Sequence, residues 1–411
     1  MIEENYEPDI PFAQTGTLEK LVEEYGTPLL VYDRATLETQ TESLFRAFSW
    51  CPEYRQYFPV EELENPALLR ILVQKGCGLL CSNAWHISLA KLAGADNILF
   101  SACFPTEEDW KAAEAVGATV ILDDPQQLSR ISPQVYGDRV LGLRVQPDER
   151  LMIPVAGRGH SVNKFGMPRK ALLETAKRAA CAGFTRLGLH MQAASNVSIT
   201  GYFEAETQFL LELAQEIQQQ TGLHIQWCNL GGGIFWDKKN PEMICLPKEA
   251  ELVRQKAETM GFAHMPFHTE AGRYVASPAG ILLSKVIGVK RQEDVIVGTD
   301  ASIAHLPRTI LPGMRYHISV LGSYGISGRQ TCYVAGPIME RIDLYSGRYV
   351  LPDVEPGDIL IFHGVGAFTR AMASSYGGSL GCPEVLIDQG NCACIRQRDP
   401  MAAWPFAVPD L

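Results

Sequence analysis

Apolar, β-rich runs alternate with helical patterns over the first two thirds of the chain. The runs are 55–60 (RQYFPV), 78–82 (GLLCS), 97–102 (NILFSA), 119–124 (TVILDD), 139–145 (RVLGLRV), 186–191 (RLGLHM), 224–230 (HIQWCNL) and 265–270 (MPFHTE). Their apolar residues are continuous rather than alternating, as in strands buried on both faces of a parallel sheet. Helical spacing fills most of the gaps, at 66–76, 84–93, 106–116, 168–182, 203–220 and 248–260. The segment PRKALLETAKRAACAG is a clear case, with apolar residues at helical spacing and a closing glycine. Eight strand–helix units in about 220 residues predict an α/β fold, a closed (β/α)8 TIM-like barrel. An open doubly wound sheet shares the periodicity and remains the alternative.

From about residue 285 the texture changes. SKVIGVKRQEDVIVGTD, YHISVLG, QTCYVAGP and GDILIFHGVGAF are short β-runs separated by Gly, Pro and Asp, with no long helical pattern between them. The expected organisation is a barrel over 35–284 and a mostly-β domain over 285–411, with residues 1–34 contributing to the latter. The early strand is TPLLVYD, 27–33.

Composition narrows the partners. No apolar run approaches the roughly 20 residues of a membrane helix. A net charge of −11 with no basic stripe argues against nucleic acid. The N-terminus, MIEENYEPDIPF, is acidic and lacks the features of a signal peptide, so a cytoplasmic location is expected. The 11 cysteines are scattered, and neither close pair (Cys77/Cys81, Cys392/Cys394) has CxxC spacing; no metal site is expected.

Barrel chemistry sits at the C-terminal ends of strands. Those ends are Glu61, Ser82, Ala102, Asp124, Gln146, Gln192, the run Gly231, Gly232, Gly233, and Glu270. Three consecutive glycines let backbone N–H groups approach a phosphate, or simply form a tight turn. Glu270, Gly272 and Arg273 either build a second wall of an anion site or hold a structural Glu270–Arg273 ion pair. Ser195 adds a hydroxyl. Glu61 can pair with a cation, stay neutral as a general acid or base, or stand in water without a role. Glu62 and Glu64 read as solvated acids near a helix N-terminus, the helix starting at Asn65-Pro66.

Taken together, TPLLVYD, NKFGMP, LGLHMQAASN, LGGGIF, EAGR, RTILPGMRYH, VAGPIME and GVGAF resemble, in order and spacing, the motifs of the fold type III pyridoxal-phosphate decarboxylases. These are the diaminopimelate and ornithine decarboxylases, whose architecture is an alanine racemase-like barrel plus a β domain. The resemblance implies that Ser195, Gly231, Gly232, Gly233, Gly272 and Arg273 hold the cofactor phosphate and that Glu270 pairs with the pyridine nitrogen. It also implies that Arg308, Tyr316 and Glu340 meet the substrate, Arg308 at a carboxylate. Dimers with shared sites are expected, with Lys164 and Asp343 placed to pair between subunits.

The departures matter more. Set against the family's Tyr-Ala-Val-Lys-Ala-Asn-Pro motif, the chain has Glu61 at the Schiff-base lysine, and no lysine lies between Lys20 and Lys75. Gln192 replaces the ring-stacking histidine, Met339 the reactive cysteine and Phe368 a tyrosine near the phosphate. Ordinary lysine-aldimine catalysis is therefore not expected. The expected function is binding of, or altered chemistry on, an amino-acid-derived ligand by a protein of lyase lineage, with Glu61, Gln192 and Met339 at the former catalytic positions. Pyridoxal phosphate or an adduct of it would be held non-covalently, if at all. The alternatives are a catalytically inactive homologue acting as a regulatory or heterodimer partner, or a sensor of a phosphorylated ligand; the partner subunit is a second copy or a relative.

Overall fold

The structure of the protein is a computed structural model. It describes residues 15–148, 151, 163–195, 197, 199–234, 245–311, 314–322 and 329–400. Two compact units divide it, one spanning Glu38–Val275 and the other combining residues up to Leu37 with those from Ala276 onward. The chain opens with α1 (Thr15–Tyr25), β1 (Leu29–Asp33) and α2 (Arg34–Ala47).

The unit from Glu38 is a closed barrel of eight parallel strands. They are β2 (Arg55–Pro59), β3 (Gly78–Cys81), β4 (Ile98–Ala102), β5 (Thr119–Leu122), β6 (Leu141–Val145), β7 (Arg186–Met191), β8 (His224–Asn229) and β9 (Phe267–Thr269). Pairing of Arg55 with His268 and of Gln56 with Thr269 joins β2 to β9, which excludes the open sheet. The helices are α3 (Pro66–Gln74), α4 (Ala84–Ala93), α5 (Glu107–Ala115), α6 (Pro133–Tyr136), α7 (Arg169–Ala182), α8 (Tyr202–Thr221), α9 (Leu246–Thr259) and α10 (Gly272–Ala276). Caps start several of them where the sequence indicates. Asn65 Oδ1 accepts the Ala67 N–H at 3.0 Å with Pro66 in the first turn, and Thr106 and Asp109 form a reciprocal capping box on α5.

Aromatic packing fills the barrel around Tyr57, Leu99, Ile121 and Trp227. The Trp227 ring lies where a side chain on Gly188 or Gly142 would have to be, so the neighbouring strands need glycine there. His268 packs in the same place, its ring centroid 5.6 Å from that of Tyr57 and 5.3 Å from that of Trp227.

The other unit contains β10 (Gly280–Arg291), β11 (Val295–Thr299), β12 (His317–Val320), β13 (Arg329–Ala335), β14 (Tyr349–Pro352), β15 (Ile359–His363), β16 (Glu384–Asp388) and β17 (Asn391–Arg396). Its sheet runs β14-β13-β11-β10-β1-β16-β17, with β15 also pairing β10 and β12. The early strand β1 lies between β10 and β16, antiparallel to the first and parallel to the second. Leu18 and Leu21 of α1 pack on Leu29, Val31, Ile281, Leu283, Ile361, Val385 and Ile387 to form the core. Among the described residues, no helix is long and apolar enough to cross a membrane.

Burial holds the His268 imidazole pKa down to about 4 from its ordinary 6.5. A folded-state pKa below the unfolded one gives stability that is fully present above pH 6.5 and is lost as the pH falls towards 4. Replacing His268 by Phe, which suits the aromatic cluster, should remove that component. Urea unfolding at pH 7 and pH 4.5 should show wild type losing more stability than His268→Phe, by up to about 3 kcal/mol; equal losses would contradict this.

Candidate ligand site

Glu270 follows β9 and is 5% exposed. Its Oε1 accepts a hydrogen bond from Asn229 Nδ2 at 2.8 Å, and its Oε2 lies 3.2 Å from His190 Nε2. Burial by itself would raise its pKa. His190, the Arg144 guanidinium and the Asn229 amide outweigh that and hold the carboxyl below its ordinary value. Glu270 is thus an ionised group enclosed by donors from β7 and β8. Arg144 on β6 is itself 3.3 Å from Asp123. The alternative Glu270–Arg273 pair is not what forms, since Glu270 faces His190 and Asn229 while Arg273 Nη2 donates to Ser195 Oγ at 2.5 Å.

The glycine run lies where three strand-end loops converge. Gly231 and Gly233 have φ of +63° and +84°. A Cβ on Gly231, Gly232 or Gly233 would overlap Met191 and Gln192, Glu270, or Ala194, respectively. The glycines are therefore required by close approach as well as by conformation. Two of their N–H groups already have protein acceptors. Gly231 N donates to Asn229 Oδ1 at 2.9 Å, and Gly232 N donates to Gln192 Oε1 at 2.5 Å. Gln192 is fixed from its other end, where Nε2 donates to the Ala194 carbonyl at 2.7 Å. Ala271 uses its N–H to reach Gln56 Oε1 at 3.2 Å.

The acids after β2 have three different environments. Glu61 lies in the 3-10 turn Val60–Glu62, is exposed, and has no ion-pair partner among the described residues. Glu62, expected in water, is instead buried at 8% exposure against Gly272. Glu64, also expected in water, is partly buried and 3.2 Å from His86 Nε2. In both cases the carboxylate lies on a neighbouring helix, Glu62 at the start of α10 and Glu64 on α4, a contact that local helix-start chemistry does not foresee.

Sequence reasoning missed Glu206. It lies on α8, is 1% exposed, and takes a hydrogen bond from the backbone of Ala193, beneath the turn that carries Gln192 and Ser195. Burial pushes its pKa well up, and the charge on Glu270 adds to this. The available signal was an acid on the apolar stripe of α8, in line with Tyr202, Phe203, Leu210 and Leu213. His190 and Asn229 were missed because the expected runs, 186–191 and 224–230, each extend one residue beyond them; the structure ends β8 at Asn229 itself.

The remaining candidates belong to the other unit. Arg308 lies in the turn Pro307–Ile310 with its guanidinium 4.6 Å over the Phe368 ring; its Nε is buried and makes no hydrogen bond among the described residues. Phe368 has a φ of +61°, unusual for a non-glycine residue. Tyr316 is buried, whereas Glu340 is exposed and Met339 is 98% exposed. Asp343, expected to be available for Lys164 of a second subunit, is turned inwards at 2% exposure. Its two oxygens accept the N–H groups of Ile303 and Ile338 at 2.8 Å each. Lys164, in the barrel unit, is exposed with Nζ over the Phe165 ring.

A sequence profile for "Pyridoxal-dependent decarboxylase, pyridoxal binding domain" matches residues 34–277. The chain belongs to the pyridoxal-dependent decarboxylase family. Protein TabA of Pseudomonas amygdali pv. tabaci is 28% identical over 390 residues, which cover 93% of this chain and 91% of TabA. The diaminopimelate decarboxylase of Methanothermobacter thermautotrophicus is 26% identical over 396 residues, covering 92% and 91%. In fold, the M. jannaschii diaminopimelate decarboxylase in co-complex with L-lysine superposes with a TM-score of 0.85 at 23% identity, covering 95% of this chain and 94% of that one. The Helicobacter pylori enzyme complexed with L-lysine gives 0.84 at 22%, covering 94% and 98%.

The family depends on pyridoxal phosphate, and this site fits that cofactor unevenly. Glu270, buried and ionised, suits a protonated ring nitrogen. The turn after β2 offers a carboxylate, Glu61, rather than an amine, and the Glu62 carboxylate lies against Gly272 at the start of α10. The residues present do not fit the group as a covalently anchored phosphate ester.

Because the folded-state pKa of Glu206 is raised, its contribution to stability is full below the ordinary carboxyl value of 4.5 and falls as the pH rises above it. Glu206→Gln, which keeps the shape without the ionisable group, should raise the melting temperature at pH 8 by more than at pH 5. Scanning fluorimetry at the two values checks this; a variant less stable than wild type at pH 8 would refute it.

Proposed function

We propose that the C-terminal rim of the barrel binds an amino-acid-derived amine without forming a lysine aldimine, so that the protein is a decarboxylase-family member with altered chemistry or with ligand binding alone. The observation that carries this is Glu61 at the end of β2. The other described lysines of the barrel unit support it. Lys75, Lys91, Lys111, Lys170, Lys177, Lys248 and Lys256 lie on the outer helices or at their ends, and only Lys164 lies in a loop after a strand. Lys238 and Lys239 lie outside the described residues. The ligands of the relatives point the same way. The M. jannaschii and H. pylori structures hold L-lysine, and a Vibrio vulnificus lysine/ornithine decarboxylase holds cadaverine. An exposed carboxylate such as Glu61 suits an ammonium group or the transfer of its proton.

A second reading, a partner subunit for itself or for a catalytic relative, is favoured by an apolar segment of the β domain. Met339, Ile342 and Leu344 are 98%, 54% and 44% exposed. Light scattering of wild type and Met339→Glu separates the two: a dimer that the substitution weakens supports the partner role, and a monomer in both removes it.

The aldimine test is direct. Wild type incubated with pyridoxal phosphate, reduced with borohydride and digested should yield no site-specific lysine adduct by mass spectrometry, whereas Glu61→Lys should gain one at position 61. A stoichiometric lysine adduct in wild type would overturn the proposal.

A further inference from the structure

Glu62 has no counterpart in the family motif, where alanine follows the lysine. Here it follows Glu61 and is 8% exposed. Its carboxylate lies directly on Gly272: a methyl group placed there would come within 2.5 and 2.6 Å of the two oxygens. The next residue is Arg273, whose Nη2 reaches Ser195 Oγ. Glu62 therefore puts a carboxylate against the residue that precedes the arginine of a candidate anion site. Across the cradle, the N–H groups of Gly231 and Gly232 already donate to Asn229 and Gln192. Two of the glycine N–H groups thus already face protein oxygen atoms, and a carboxylate lies against Gly272. A phosphate entering here would meet a like charge in a setting where water screens poorly.

Resting on the barrel rim being the ligand site, we propose that Glu62 stands in for the ligand's phosphate. The cradle carries its own anion, and the ligand it accepts is a non-phosphorylated amine. Retention of the glycines and Arg273 is then explained without a phosphorylated ligand, because the glycines are needed for loop packing and Arg273 holds Ser195. A cationic amine gains from the added carboxylate, whereas a phosphate ester loses.

Pyridoxamine and pyridoxamine 5′-phosphate make the test. They differ only in the phosphate, and neither carries an aldehyde that would react with surface lysines. Calorimetric titration of the full chain should show wild type binding the phosphate ester no more tightly than pyridoxamine. Glu62→Ala should bind the ester at least tenfold more tightly than pyridoxamine. Glu62→Gln removes the charge and keeps the volume, so it should shift the preference in the same direction and decides the matter if Glu62→Ala does not fold. A tenfold or greater preference for the ester in wild type overturns the proposal, and so does the absence of any gain in both variants. A lysine adduct in the borohydride experiment would remove the aldimine-free reading without altering this ratio, so the two failures are distinguishable.

Discussion

A carboxylate that is both buried and ionised has to be enclosed by donors, and the C-terminal face of this barrel is organised around one. Glu270 draws a hydrogen bond from Asn229 on β8, contacts His190 on β7 and lies in the field of Arg144 on β6. Breaking such an arrangement by removing one partner costs about 3–5 kcal/mol, because the charge left behind is uncompensated. Asn229 then passes the constraint on, its side-chain oxygen accepting the Gly231 N–H. Residues 191–194 and Glu270 approach the run 231–233 too closely for any residue but glycine at those three positions.

That dependence changes what retention of these residues means. Glu270 and the three glycines are features by which a pyridoxal phosphate site is recognised, and each also has a structural reason to be present. The end of β2 carries no such load. Glu61 is exposed, and its identity is free to follow function rather than packing.

The acids near the rim show how far the environment sets their behaviour. Glu61 is in water, Glu64 is beside His86, Glu62 is on Gly272, and Glu206 is enclosed beneath the Gln192 turn with its pKa raised. Glu270 is as deeply buried as Glu206 and yet has its pKa lowered. The difference is the supply of donors: Glu270 has His190 and Asn229, whereas one oxygen of Glu206 meets no hydrogen-bond partner among the described residues.

The sequence by itself determined the eight strands and their ends, because strands buried on both faces must be continuously apolar and the helices between them carry their own caps. All eight strands begin and end within two residues of the expected runs. From those ends the placement of Glu61, the glycine run, Glu270, Gly272 and Arg273 at the C-terminal rim was legible. Tertiary structure alone decided the closure of β2 on β9, the inclusion of β1 between β10 and β16, and the inward turn of Asp343. It also decided which acids have their pKa lowered or raised, and which is buried against Gly272. Sequence shows where a carboxylate lies along the chain, but its chemistry depends on the donors, charges and water around it, and here those come from segments up to 210 positions away, as Glu62 on Gly272 shows.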